Sequence, residues 1–405
     1  MKKSKSLFWG VLILTAVIMA GGPWMVGPAA AQTKTVKIGV VTWLGWPLGL
    51  AFSNETRILA DLINSRGGLT IGPDKVKIEL FVEDSKLSND VARGAVEKLV
   101  YQNNVKFIIG DETVDAWLPV TEQNNVLAVA GTPSKAIFNP KYTKAFQGTA
   151  IQCQMQQIFG WFAKNYPDKK TMVFVAPDNK IGHLEREKAQ LTAKAYGFRI
   201  LDSILYPMQQ TDVSAIGTKV KTLNPDICIF DAGGPVKDPM NMKATREAGY
   251  KGQFLFPNSS VAVHLVKGAG PEVVEGWIGG MYAVEMDPPP PVAKEFKDAY
   301  LAKYGKWDDP DTLFINTWYL LLAGLQEAKS TDPEKVAEVI NRGIKFDSVN
   351  GPCMTVARPD LGNSRAVDTL MAFGIKTIQA GKPKLLHQLT LDEAYQLNKV
   401  FYGWK

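Results

Sequence analysis

Few side chains in this sequence belong to the types that do chemistry at neutral pH: it holds three His and three Cys among 405 residues. The cysteines, Cys153, Cys228 and Cys353, have neither the spacing of a metal site nor the density of a disulfide scaffold. His183 and Glu187 lie four apart on a helical stretch and could chelate a metal. No further ligand clusters near them, so a surface i,i+4 pair accounts for both. There is no GxSxG elbow, and no His has a convincing Ser or Cys partner in its sequence context, which argues against a hydrolase. Gly45-x-x-x-Gly49 differs from the GxGxxG dinucleotide fingerprint, and the next strand-closing acid, Asp84, lies roughly 40 residues on instead of about 20. No cofactor and no metal are therefore expected. Recognition remains: Trp43 and Trp46 could stack on an aromatic or cationic ligand, or could plug a core instead.

These residues sit in a chain of ordinary globular composition, 46% hydrophobic and 21% charged. That excludes collagen-like, disordered and multi-span membrane classes. At about 150 residues per domain, the length suggests two or three domains. The net charge is +6, of which Lys2, Lys3 and Lys5 supply half; the remaining basic residues are spread, so no nucleic-acid partner is expected.

Residues 1–31 have the order of a secretory signal: a basic MKKSKS, the apolar run LFWGVLILTAVIMA, then Gly21-Gly22-Pro23 and a small-residue end. The run is short of the roughly 20 residues that span a bilayer. Cleavage is expected after Ala31, and no Cys follows it to carry a lipid anchor. The mature protein is thus placed in the periplasm, or more generally outside the cytoplasmic membrane.

From residue 36 short apolar runs alternate with segments of helical period. VKIGVVTW, VKIELFVED, VKFIIG and NVLAVAG read as buried strands, with helices between them; Gly67-Gly68 stop the first helix. The pattern restarts after residue 150 with TMVFVAP, FRILDSILY, DICIFDAGG and QFLFPNSS. Two consecutive doubly wound parallel sheets are predicted, an α/β architecture. The last third adds helices at 292–304, 311–328 and 333–342, with GPCMTVARPD and TLMAFGIKTI as strands. A closed lobe needs no such helices, but a chain that crosses back near 283 and again near 353 does. Lobe 1 would then comprise 34–149 plus 284–352, and lobe 2 150–283 plus 353–405, joined by a three-crossover hinge.

The sequence resembles the type I periplasmic solute-binding proteins of ABC transporters, the branched-chain and hydrophobic amino acid receptor group. The resemblance rests on VKIGVV followed by Leu44-Gly45-Trp46-Pro47-Leu48-Gly49, ADLINSRGGL, VEDSK with Asp84, KFIIG, AVAGTPSK, the Ala176-Pro177-Asp178 turn and the late GPCMTV, in the family's order. It implies a periplasmic-binding-protein-like fold whose two lobes close on a small molecule. Ligands of doubly wound sheets sit beyond the carboxyl ends of the strands.

By the same resemblance, lobe 1 offers Trp43 and Trp46 in loop one, Asp111 and Thr113 in loop two, and Thr132 and Ser134 in loop three. Thr132 and Ser134 fit the family's grip on an α-carboxylate, and Thr113 can join them. Asp111-Glu112 stand where a Ser-rich stretch is expected; acids there repel an anion and suit a cation or amide donor, unless they form a solvated turn. Lobe 2 offers Ile181 and His183 after the Asp178 turn, then Asp231 and Asn258. Ile181 stands where the family often has an aromatic residue. Asn258 stands where amino-acid binders carry a Glu, and it cannot neutralise a buried ammonium; Asp231 can substitute.

The expected function is a non-enzymatic receptor that captures an amino acid or related amide or amine and delivers it to the membrane permease of an ABC importer. An aromatic carboxylate is the alternative ligand, favoured by Trp43 and Trp46 and disfavoured by Asp111. A ligand-sensing module is the alternative output, and a secreted hydrolase the least favoured. A monomer suits a protein that must dock on a permease.

Overall fold

The computed structural model describes residues 34–404, apart from 111–112, 133, 135, 150–152, 257–261, 308–309 and 311. The expected leader and its expected cleavage after Ala31 lie outside the described residues.

The first sheet contains β1 (Lys34–Thr42), β2 (Leu69–Ile71), β3 (Asp74–Asp84), β4 (Phe107–Gly110), β5 (Leu127–Ala130) and β6 (Ala145–Gln147), in the order β2-β3-β1-β4-β5-β6. Every pairing is parallel except the hairpin of β2 with β3. Helices α1 (Pro47–Ser65), α2 (Asn89–Tyr101) and α3 (Val114–Gln123) connect the strands. β4 and β5 are buried along their whole length and read as continuous apolar runs, whereas β3, expected as a buried strand, alternates polar and apolar residues and is largely half-exposed. Along β4, Phe107 and Ile109 enter one core and Ile108 the other. The first helix stops where expected: Gly67 and Gly68 have positive φ, and a Cβ on Gly68 would run into the Val76 backbone.

The second sheet begins after α4 (Gln154–Asn165). It contains β7 (Thr171–Pro177), β8 (Arg199–Tyr206), β9 (Ile227–Phe230), β10 (Gln253–Leu255) and β11 (Ile278–Met281), with α5 (Lys180–Ala195), α6 (Ser214–Leu223), α7 (Gly234–Glu247), α8 (Ala262–Ala269) and the short α9 (Pro271–Val274) between them. The chain then returns to the first core. Ala283 and Val284 lie in it, followed by residues of α10 (Pro291–Tyr304), α11 (Asn316–Ala328) and α12 (Pro333–Arg342).

A third, antiparallel sheet follows: β12 (Lys345–Ser348), β13 (Gly351–Arg358) and β14 (Asn363–Met371). Its side chains divide between the two bodies: Cys353, Val367 and Met371 enter the first core, Val356 and Leu370 the second. The chain re-enters the second sheet as β15 (Gly374–Gln379) and β16 (Lys382–Gln388), giving the order β16-β15-β11-β10-β9-β7-β8. It ends in α13 (Leu391–Tyr402), whose Ala394 shares a core with α4. The run TLMAFGIKTI is therefore not one strand: it is divided at Ala372-Phe373 between two sheets. The fold is α/β, with two parallel-sheet lobes that the chain links three times.

Candidate functional site

In each sheet the chain adds strands first on one side of its opening strand and then on the other. The reversal falls between β1 and β4 in the first sheet and between β7 and β9 in the second. At such a point the loops after two adjacent parallel strands diverge and leave room for a ligand. Trp43 follows β1, Asp111 follows β4, Asp178 follows β7 and Asp231 follows β9. The topology thus brings four of the loops singled out from sequence to the two switch points.

Loop one is rigid for visible reasons. Trp46 N–H donates to the Trp43 carbonyl at 3.1 Å, and Leu44 N–H donates to Asp84 Oδ1 at 3.1 Å. Pro47 opens α1, with its fixed φ suited to the first helical position. A Cβ on Gly49 would collide with the Trp43 carbonyl oxygen, so the close approach requires glycine. Trp43 and Trp46 are both half-buried and stack with centroids 5.9 Å apart. Trp46 meets the edge of Phe314 at 6.3 Å, and Phe314 in turn meets Phe52 at 5.9 Å. The two tryptophans are the outer end of an aromatic stack whose base is core.

Loops two and three are tied together from below. Gly131 N–H donates to Gly110 O, Thr149 Oγ1 donates to Gly131 O at 2.5 Å, and Gln147 Nε2 donates to Thr149 Oγ1 at 2.7 Å. Gln147 and Thr149 are buried. Thr113 is buried and Thr132 half-buried at these strand ends, whereas Asp111 lies outside the described residues. The Ser134 hydroxyl donates to the Asp115 carboxylate and accepts from Ala136 N–H at 3.0 Å, so it ties its own loop.

On the second sheet, Asp178 N–H donates to Tyr206 O at 2.6 Å, and its carboxylate lies 2.7 Å from His183 Nε2. Asn179 caps α5 by accepting from Gly182 N–H at 2.8 Å. Ile181 is 60% exposed on the first turn of α5, and the His183 ring faces Asp178. Asp231 is 2% exposed, with Oδ1 accepting from Ala232 N–H at 2.8 Å. Burial pushes its carboxyl well above the usual range, and Glu185 and Asp238 push the same way against an opposing Lys188. Asp238 is pushed to about 7 by burial, although Gly233 and Gly234 N–H groups favour its charged form. Asn258 lies outside the described residues.

Sequence reasoning missed Phe314, Gln147 and Thr149. Phe314 reaches loop three as well as loop one, since a Cβ on Gly131 would sit 3.0 Å from its ring. Nothing local marks it, because it comes from the late return of the chain. A cavity of about 510 Å³ between α1, α10, α11 and β12 is lined by Leu62, Arg66, Trp318, Tyr319 and Phe346, among others; it contains none of the predicted site residues.

A sequence model of the family described as "Periplasmic binding protein" matches residues 35–376. The leucine-, isoleucine-, valine-, threonine- and alanine-binding protein of Pseudomonas aeruginosa is 24% identical over 313 residues, covering 74% of this chain and 79% of that one. Two solved structures are similar in fold. A branched chain amino acid ABC transporter periplasmic ligand-binding protein from Burkholderia xenovorans has a TM-score of 0.69 and 19% identity, covering 89% of this chain and 96% of its own. A solute-binding protein of an ABC transporter from Rhodopseudomonas palustris, in complex with 3,4-dihydroxybenzoic acid, has a TM-score of 0.64 and 17% identity, covering 88% and 98%.

Proposed function

The chain belongs to the periplasmic binding protein family, matched over residues 35–376, and from that premise we propose that it is an extracytoplasmic receptor delivering a small solute to the permease of an ABC importer. Solute binding is the role of the family. The ligand proposed for this member is an amino acid or a related amide or amine, bound without turnover by a monomer. Residues 34–149 plus 284–352 form lobe 1 in this reading, and 150–283 plus 353–405 form lobe 2. Residues 1–31 are removed on export; N-terminal sequencing of the secreted protein tests that.

The observation that carries the ligand class is Asp231, a buried carboxyl at the end of a switch-point strand. In this reading the ammonium of the solute would lie within reach of that carboxylate. Trp43 and Trp46 would contact the apolar part of the solute. Thr113 and Thr132 would supply hydroxyls, with Asp111, Ile181, His183 and Asn258 completing the surround. Ser134 is assigned to the loop-three framework.

A second reading, an aromatic carboxylate, is supported by the Trp43–Trp46 stack and by the 3,4-dihydroxybenzoic acid bound to the Rhodopseudomonas palustris neighbour. Thermal shift against amino acids, amides, polyamines and aromatic acids decides between the two. A true ligand at 100 times its Kd stabilises by about 2.7 kcal/mol. Stabilisation by aromatic acids alone would overturn the amine reading. A neighbouring permease gene would support transport, and a neighbouring kinase gene would support sensing.

A further inference from the structure

A buried side chain bonds the aromatic stack beneath loop one to the hinge. Asn350 lies in the turn between β12 and β13 and is 1% exposed. Its backbone carbonyl accepts from Ala283 N–H at 2.9 Å, at the point where the chain has just left β11 and re-entered the first core. Its own N–H donates to Ser348 Oγ at 3.1 Å. Its side chain grips the segment leading into α11: Oδ1 accepts from Thr312 Oγ1 at 2.6 Å, and Nδ2 donates to Thr312 O at 2.7 Å and to Asn316 Oδ1 at 3.1 Å. Between Thr312 and Asn316 runs the single 3-10 turn Leu313–Ile315, and Phe314 on that turn supports Trp46.

We propose that Asn350 is a positioning residue of the ligand site, fixing the Phe314–Trp46–Trp43 stack in register with the Ala283 crossover. Asparagine suits the task because it presents an acceptor and a donor on one rigid plane, matching a hydroxyl and a carbonyl of the same residue, Thr312. Asp keeps the acceptor but faces two oxygens where a donor stood; Ala leaves all of them bare. This inference rests on the reading that solute binds against Trp43 and Trp46.

The test uses the mature full chain with ¹⁵N-labelled indoles, the Trp43 and Trp46 peaks being assigned by Trp43→Phe and Trp46→Phe. Asn350→Asp and Asn350→Ala are expected to move both peaks while leaving Trp277, buried in the other body, in place. Phe314→Leu, which keeps every Asn350 bond, should move the same two peaks. Affinity for the best ligand from the thermal-shift panel should fall on the order of tenfold in each variant, the equivalent of one lost hydrogen bond's positioning. Unmoved Trp43 and Trp46 peaks in a folded Asn350 variant would overturn the proposal, as would moved peaks with unchanged affinity. A purely structural role would lower Tm with both readouts unchanged. If no panel compound binds the wild type, the ligand reading fails, while the indole spectra still decide on Asn350 and Phe314.

Discussion

Gln157 donates through Nε2 to the Met371 carbonyl at 2.7 Å, across 214 positions of sequence, and accepts through Oε1 from Phe373 N–H at 3.1 Å. One fully buried amide on α4 thus clamps the step at which the chain leaves β14 for β15. One turn earlier, Gln154 Nε2 donates to Tyr282 Oη at 3.0 Å and reaches the second crossing. Both later crossings are bonded to the helix that follows the first.

Gln157→Leu leaves a buried carbonyl and a buried N–H without their amide partner. Each such loss costs about 1–3 kcal/mol. Denaturant unfolding should show a loss of about 2–4 kcal/mol, and a loss below about 0.5 kcal/mol would contradict the clamp.

Asp238 gives the protein a pH dependence of known sign. Its folded value, about 7, lies above the ordinary 3.8, so the folded state binds more protons between those values. Its contribution to stability is therefore fully present below the ordinary value, falls as pH rises through the interval and levels off above about 7. Asp238→Asn keeps an oxygen for Gly233 N–H and removes the titration. The variant should gain Tm relative to wild type at about pH 8 and lose that gain near pH 4. A constant Tm difference across that range would contradict the assignment.

In the amine reading, Asp231 would link ligand charge to proton release. Burial holds its carboxyl well above the usual range, and whatever fraction is protonated would release its proton to an ammonium that ionises it. Calorimetric titration in two buffers of different ionisation enthalpy should show release for an amine or amino acid. Asp231→Asn should abolish the release and weaken binding on the order of a hundredfold or more, as expected when one partner of a buried charge pair is removed. Equal heats in both buffers would separate Asp231 from the ligand.

Gly49 tests loop one without touching solute. Any Cβ meets the Trp43 carbonyl, a backbone atom that cannot swing away. Gly49→Ala should shift tryptophan emission and weaken ligand binding, while Gly94→Ala, where a Cβ meets nothing within 4 Å, should leave both unchanged.

The strand–helix alternation was legible because β4, β7 and β9 are buried on both faces and carry unbroken apolar runs. The strand-end loops could be read for the same reason, since a strand's end fixes where its loop begins. Short or polar elements were not legible. β2 is only three residues long, β12 is the polar, largely exposed Lys345–Ser348, and β16, Lys382–Gln388, is a Lys-rich edge strand with little alternation. The division of TLMAFGIKTI depends on Gln157, a partner more than 200 positions away, and no local pattern encodes it. Phe314 and Asn350 escaped notice likewise: their places beneath loop one and in the hinge follow from the chain's return to the first core, and their neighbours in sequence resemble ordinary helix and turn residues.

A crystal structure with the most stabilising panel compound tests the receptor account most directly. The solute should contact the Trp43–Trp46 loop on one side and the Asp231 loop on the other, with both switch points turned toward it. A solute bound to the loops of one sheet alone, or seated in the cavity beside α10, would contradict it.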